Sequence, residues 1–205
     1  MTPRRLLCVT VVALAMGAVI RYTSVVGAQP NITSIVARDA CDPDSFNAAA
    51  GPGTCVNLPG NPHGTIPFAL FIQELQQDRI AGAWRFNPML DASAGTFKLV
   101  TLNLAAGQQT LIQNKGGETH TFTRVKEFGG GVVPPLNALS GNPVPAPECR
   151  QSASDTNITI GAGVSQPGPT AGSSALPEET SNWQCCIHPW MRLRITVNQG
   201  QQGQQ

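Results

Sequence analysis

The spacing of apolar positions changes along the chain, and each change marks an element. Phe68, Phe71, Ile72 and Leu75 recur at helical spacing, with residues 65–67 as a start signal and Gly82 as a stop, so a short amphipathic helix is predicted over one end of the core. From residue 83 the period falls to two. Strands are predicted at 83–86, 96–104, 108–114 and 119–125, separated by the turn signals Ala106-Gly107 and Lys115-Gly116-Gly117. Strand character returns at 182–185 and 192–198. Between about 128 and 181, Gly, Pro, Ser, Asn and Thr dominate and only 157–160 reads as a strand, so this stretch is expected to be a long loop insertion. Trp84, Phe86, Phe97 and Phe122 are expected in the core. The pattern predicts a strand-rich domain over 83–198, preceded by a loop-rich extension at 29–82 that carries the helix and followed by a disordered Gly/Gln tail at 199–205.

The first residues say where the protein works. Arg4 and Arg5 precede an apolar run from Leu6 to Ile20, and Val26-Gly27-Ala28 offers small residues before a cut at Gln29, so 1–28 are expected to be a signal peptide. The run is shorter than the roughly 20 residues that span a bilayer, which favours cleavage over a permanent anchor. The residues around the paired arginines match the twin-arginine signal only weakly. An exported protein, periplasmic or secreted and without stable membrane insertion, is expected. Losing Arg4, Arg5 and Arg21 tips the 13 basic and 12 acidic side chains to the acidic side. With no basic block to neutralise phosphates, nucleic acid is not expected as a partner.

Export gives the cysteines a meaning. Without Cys8, five remain: Cys41, Cys55, Cys149, Cys185 and Cys186. An odd count in an oxidising compartment means two disulfides plus a thiol with other work, or an intermolecular bridge. Cys41 and Cys55 are expected to close a local loop. Cys185 and Cys186 are adjacent, and strand alternation separates their roles: Trp183 and Cys185 share one face, Gln184 and Cys186 the other, and the indole belongs inside. Cys186 is then free for a disulfide. Of the three connectivities that four cysteines allow, Cys41 with Cys55 leaves Cys149 with Cys186, which would tie the insertion to the segment after Trp183.

Cys185 opens the stretch richest in chemistry. Cys185-Cys186-Ile187-His188-Pro189-Trp190-Met191 sets a thiolate, an imidazole and a thioether at the spacing C-x-x-H-x-x-M. Soft sulfur ligands with imidazole select copper, and a trigonal Cys/His/His set with a weak axial Met is an electron-transfer geometry. That set needs a second histidine. His120, after the Gly116-Gly117 turn and at the start of a predicted strand, supplies it. The chain has 3 histidines, which limits the site to one ion and excludes a multicopper oxidase. His63, in Asn61-Pro62-His63-Gly64, reads as a turn residue. Glu178-Glu179 reads as a solvated loop pair, and no acid/base or nucleophile constellation competes, so an enzyme is not expected. The sequons Asn31-Ile32-Thr33 and Asn157-Ile158-Thr159 carry weight only in a host that glycosylates exported proteins.

These residues also carry a family resemblance. Leu99 to Leu104, Gly107, Thr110 to Asn114 and Thr119-His120-Thr121-Phe122 resemble the first half of a cupredoxin domain, and Cys185 to Met191 resembles the short copper loop of the amicyanin and plastocyanin group, including the proline after the histidine. The resemblance covers about 83–198 without the insertion. It implies a Greek-key β-sandwich that binds one copper ion and passes single electrons. Carried over, His120, Cys185 and His188 would be the strong ligands and Met191 the axial one. Many relatives have Asn after the first histidine, supporting the thiolate loop; this chain has Thr121. The binuclear copper centre of oxidase subunits is rejected, because its two cysteines are separated by three residues and these are contiguous.

The expected function is therefore an exported blue-copper electron carrier that meets redox protein partners transiently, with electrons entering at an exposed edge of His188 ringed by Pro189 and Trp190. A copper carrier or storage protein, whose ion exchanges readily, and a copper-free interaction module of the same fold are the alternatives.

Overall fold

The computed structural model describes residues 31–59, 66–79, 85–86 and 99–198. Residues 1–28, expected as a signal peptide, His63, Gly82, Trp84, Phe97, the side chain of Phe86 and residues 199–205 lie outside the described residues.

Strands β1 (Ile32–Arg38), β2 (Arg85–Phe86), β4 (Gln109–Asn114) and β7 (Ser165–Pro167) form one sheet in the order β2-β1-β4-β7. The second sheet runs β3-β9-β8-β5-β6, from β3 (Val100–Ala105), β5 (His120–Val125), β6 (Asn157–Ile160), β8 (Thr180–Gln184) and β9 (Arg192–Asn198). β1 pairs with β4, and β3 with β9, in parallel; the other pairings are antiparallel. One core joins the sheets, with Ile35 and Ile112 from the first and Leu104, Phe122, Trp183, Leu193 and Ile195 from the second. The all-β sandwich expectation holds.

The extension at 29–82, expected to be loop-rich around one helix, carries more regular structure before that helix. It holds β1 and the helix α1 (Pro43–Ala50). Ile35-Val36-Ala37 is buried without alternation because β1 lies inside its sheet, between β2 and β4. Asp42 caps α1 by accepting from the Ser45 N–H at 3.0 Å, and Pro43 fits the first helical position. The predicted helix is α2 (Phe68–Asp78), which ends earlier than Gly82, at Arg79 in the left-handed region (φ 62°). The insertion is also more ordered than expected: α3 (Pro134–Leu139), a 3₁₀ turn at Pro147–Arg150 and β7 join the expected β6.

Strand alternation in β8 separates the neighbouring cysteines. Trp183 is fully buried in the main core, stacked on Phe122 with ring centroids 4.1 Å apart, and its indole N–H donates to Ser181 on the same face. Cys185, next on that face, lies in the same core. Cys186 enters a second apolar cluster with Val125, Ala146 and Cys149 on the outer side. The structure bridges Cys149 to Cys186 and Cys41 to Cys55, leaving Cys185 as the free thiol among the described residues. A glycine seals the outer cluster: a Cβ on Gly131 would lie 1.8 Å from the Cys186 carbonyl oxygen.

The Cys149–Cys186 bridge closes a sequence separation of 37 residues. A loop of that size restricts the unfolded chain by about 3–4 kcal/mol. The Cys149→Ser/Cys186→Ser double variant is expected to lose about that much stability in denaturant unfolding of the metal-free protein; an unchanged midpoint would contradict the structural role.

Candidate metal centre

His120 opens β5, and β5 pairs with β8, whose end delivers Cys185. This pairing brings together residues 65 positions apart in sequence. The Cys185-to-Met191 loop then turns back on itself: the Cys185 N–H donates to the Met191 carbonyl at 3.0 Å, and the Met191 N–H to the His188 carbonyl at 2.9 Å. His188 is thereby folded over the thiol. Cys185 Sγ lies 3.8 Å from His120 Nδ1 and 3.6 Å from His188 Nδ1, and the two Nδ1 atoms are 3.0 Å apart. All three residues are buried.

The far nitrogens of both rings face carboxylates. His120 Nε2 is 3.0 Å from Asp39 Oδ2, and His188 Nε2 is 3.2 Å from Glu118 Oε2. The Asp39 contact on Nε2 leaves the Nδ1 lone pair of His120 on the other side, and the Glu118 charge at ion-pair distance from His188 Nε2 favours the same arrangement there. Two such lone pairs and a sulfur converge within a few ångströms of one another, which calls for a cation among them. One ion bonded at about 2.0–2.3 Å to nitrogen and sulfur spans such separations. The donor set thus fits a single metal ion.

Ionisation follows the same contacts. Burial opposes a Cys185 thiolate, but the two imidazoles outweigh it and carry the thiol well below its ordinary range. Burial likewise disfavours a charged His188, yet the Glu118 charge and the Cys185 contact push it up to about 10. At Glu118 burial wins and its pKa rises; at Asp39 the His120 contact and two backbone N–H groups win over burial and its pKa falls. Without a metal, protons supply the positive charge that the donors require.

Asp39 and Glu118 are absent from the sequence reading. Asp39 follows β1, and its carboxylate accepts from the Gly117 N–H at 2.8 Å and the Glu118 N–H at 3.0 Å. The turn Gly116-Gly117 was legible, but its purpose was not: a Cβ on Gly116 would lie 1.8 Å from Asp39 Oδ2, and one on Gly117 would lie 2.8 Å from Cys41 Sγ. The glycines leave room for the N-terminal segment to dock.

Thr121 supports the thiolate loop directly. Its N–H donates to Cys185 Sγ at 3.3 Å, and its hydroxyl accepts from the Cys186 N–H at 2.6 Å. The His188 N–H also points at Cys185 Sγ, at 3.5 Å.

The exposed docking edge is the clearest correction. His188 is 2% exposed, Trp190 7%, and Pro189 is buried as well. Trp190 packs between His188 (5.4 Å) and Phe71 of α2 (5.9 Å), and Phe71 packs on Phe46 of α1 and on Phe68. Apolar burial by two helices covers what the sequence left open. Met191 is buried in the same core. Glu178 and Glu179 are exposed, far from this arrangement in character, as expected of a solvated pair.

Thr121→Val keeps the shape but leaves the buried Cys186 N–H without its acceptor, which costs about 1–3 kcal/mol. The expected outcome is that loss in denaturant unfolding, with Thr121→Ser restoring most of it. Equal stability of Val and Thr variants would contradict the contact.

No family model and no curated protein matches this chain. Among solved structures it is similar to one described as "Novel Purple Cupredoxin from Nitrosopumilus maritimus", at 14% identity over 48% of this chain and 77% of that one, with a TM-score of 0.31.

Proposed function

We propose that this protein is an exported, non-enzymatic carrier of single electrons that holds one copper ion. The observation that carries the reading is the buried convergence of His120 Nδ1, Cys185 Sγ and His188 Nδ1, with the cysteine left out of both disulfides. A thiolate with two imidazoles suits copper, and copper bound there supplies a one-electron couple between Cu(II) and Cu(I). The remaining tasks fall to the chain. Asp39 and Glu118 fix the two rings, the Thr121 and His188 N–H groups fix the sulfur, and the apolar surround excludes water. Donors fixed before the ion arrives resist rearrangement when its charge changes, which favours fast transfer. Met191, carried on the same short loop and buried in the same core, is proposed as the weak axial ligand.

Burial favours this reading over copper delivery, in which an exchanging ion needs an accessible ligand. The free, acidified Cys185 thiol argues against a copper-free module. Two disulfides fit an oxidising compartment outside the cytosol. With the His188 edge covered, a transient redox protein partner is proposed to exchange electrons across α2. Ring contacts there lead from His188 through Trp190 and Phe71 to the half-buried Phe68.

The purified protein is expected to bind one copper per chain, with intense thiolate-to-copper colour that bleaches reversibly with reductant and is lost in Cys185→Ser. Two coppers per chain, or a colourless oxidised copper protein, would overturn the reading. Met191→Leu is expected to keep copper bound and raise the reduction potential, because an axial thioether tunes potential more than affinity. An unchanged spectrum and potential would remove Met191 from the ligand set.

A further inference from the structure

We infer that Glu118 is a positioning residue that biases the site toward its oxidised state, acting through His188. The inference rests on the copper reading above and adds a determinant of the redox balance to it. Glu118 Oε2 lies 3.2 Å from His188 Nε2, with the two side chains 8% and 3% exposed. The main chain of Glu118 is held independently of its side chain. Its N–H donates to Asp39 and its carbonyl accepts from Asn114 Nδ2. Asp39 differs, because its carboxylate also binds the Gly117 and Glu118 N–H groups and thereby holds the N-terminal segment.

Glu118 Oε2 meets His188 at ion-pair distance without forming a hydrogen bond, and a buried carboxylate is an expensive way to fill space beside a ring that a neutral side chain of the same size would fill. What the carboxylate adds is charge. The oxidised site carries one more positive charge than the reduced site. A negative group one imidazole away, in an environment with little water to screen it, therefore stabilises the oxidised form more. A carboxylate on the far nitrogen also makes the ligating nitrogen a stronger donor. Both effects favour Cu(II) and lower the potential.

The test compares copper-loaded wild type, Glu118→Gln and Glu118→Met by redox titration of the full chain. Glu118→Gln keeps the size and removes the charge. It is expected to retain colour and one copper while its Cu(II)-over-Cu(I) preference falls about tenfold, which is about 59 mV upward for one electron. Glu118→Met is expected to shift at least as far, and it carries the comparison if the Gln variant does not fold. In the metal-free protein, the imidazole nitrogen-15 spectrum is expected to show the His188 Nε2–H resonance displaced in both variants. Potentials that stay at the wild-type value while only the melting temperature changes would overturn the inference and leave Glu118 a purely structural role. A wild type that never becomes coloured with copper would instead overturn the copper reading itself.

Discussion

The Asp39 carboxylate ties the end of β1 to the turn that leads into His120. It sits where β1 ends, fully buried, and its two oxygens reach the Gly117 N–H, the Glu118 N–H and His120 Nε2. Burying that charge is tolerable only because each oxygen has such partners. The contact needs Gly116, whose missing side chain leaves the space that Oδ2 occupies. Once made, it fixes the β4–β5 turn, the plane of the His120 ring and the direction of Nδ1 toward Cys185. It also sets Cys41, two residues on, against Gly117, where the Cys41–Cys55 bridge lies.

The same docking places α1 and α2. With Cys41 and Cys55 anchored, Asn47 of α1 exchanges hydrogen bonds with the Cys55 main chain, and the Phe46, Phe68 and Phe71 rings close over Trp190. Trp190 in turn lies against His188. The helices therefore act on the site indirectly. They exclude water from the rings, which strengthens the His188–Glu118 and His120–Asp39 contacts, and they leave the imidazoles no room to swing away. A site covered in this way trades easy access for a fixed arrangement of donors, which suits the electron-carrying role proposed for it.

Much of this was legible in the residues. The C-x-x-H-x-x-M loop, the His120 strand start and the alternation that sends Cys185 inward and Cys186 outward depend on local spacing, and local spacing survives folding. The sandwich strands β4, β5, β6, β8 and β9 were legible for the same reason. β1 was not, because it pairs in parallel with β4, whose partners lie more than 70 positions away, and its buried stretch lacks alternation. Asp39 and Glu118 looked like ordinary acids, since nothing local distinguishes a carboxylate bound for the interior from one left in water. Trp190 was misplaced because its cover, Phe71, comes from a helix more than 100 positions earlier in the chain. For Asp39, Glu118 and Trp190, what escaped the sequence was a long-range contact.

On the proposed function, this buried geometry, set by the protein, holds copper through one sulfur and two imidazole nitrogens and barely changes with oxidation state. X-ray absorption at the copper edge, recorded on the loaded protein before and after reduction, tests it most directly. The account predicts a shell of one short sulfur and two nitrogen scatterers that keeps its composition and nearly its distances in both states. A shell of nitrogen and oxygen without sulfur, or one that loses a histidine on reduction, would contradict it.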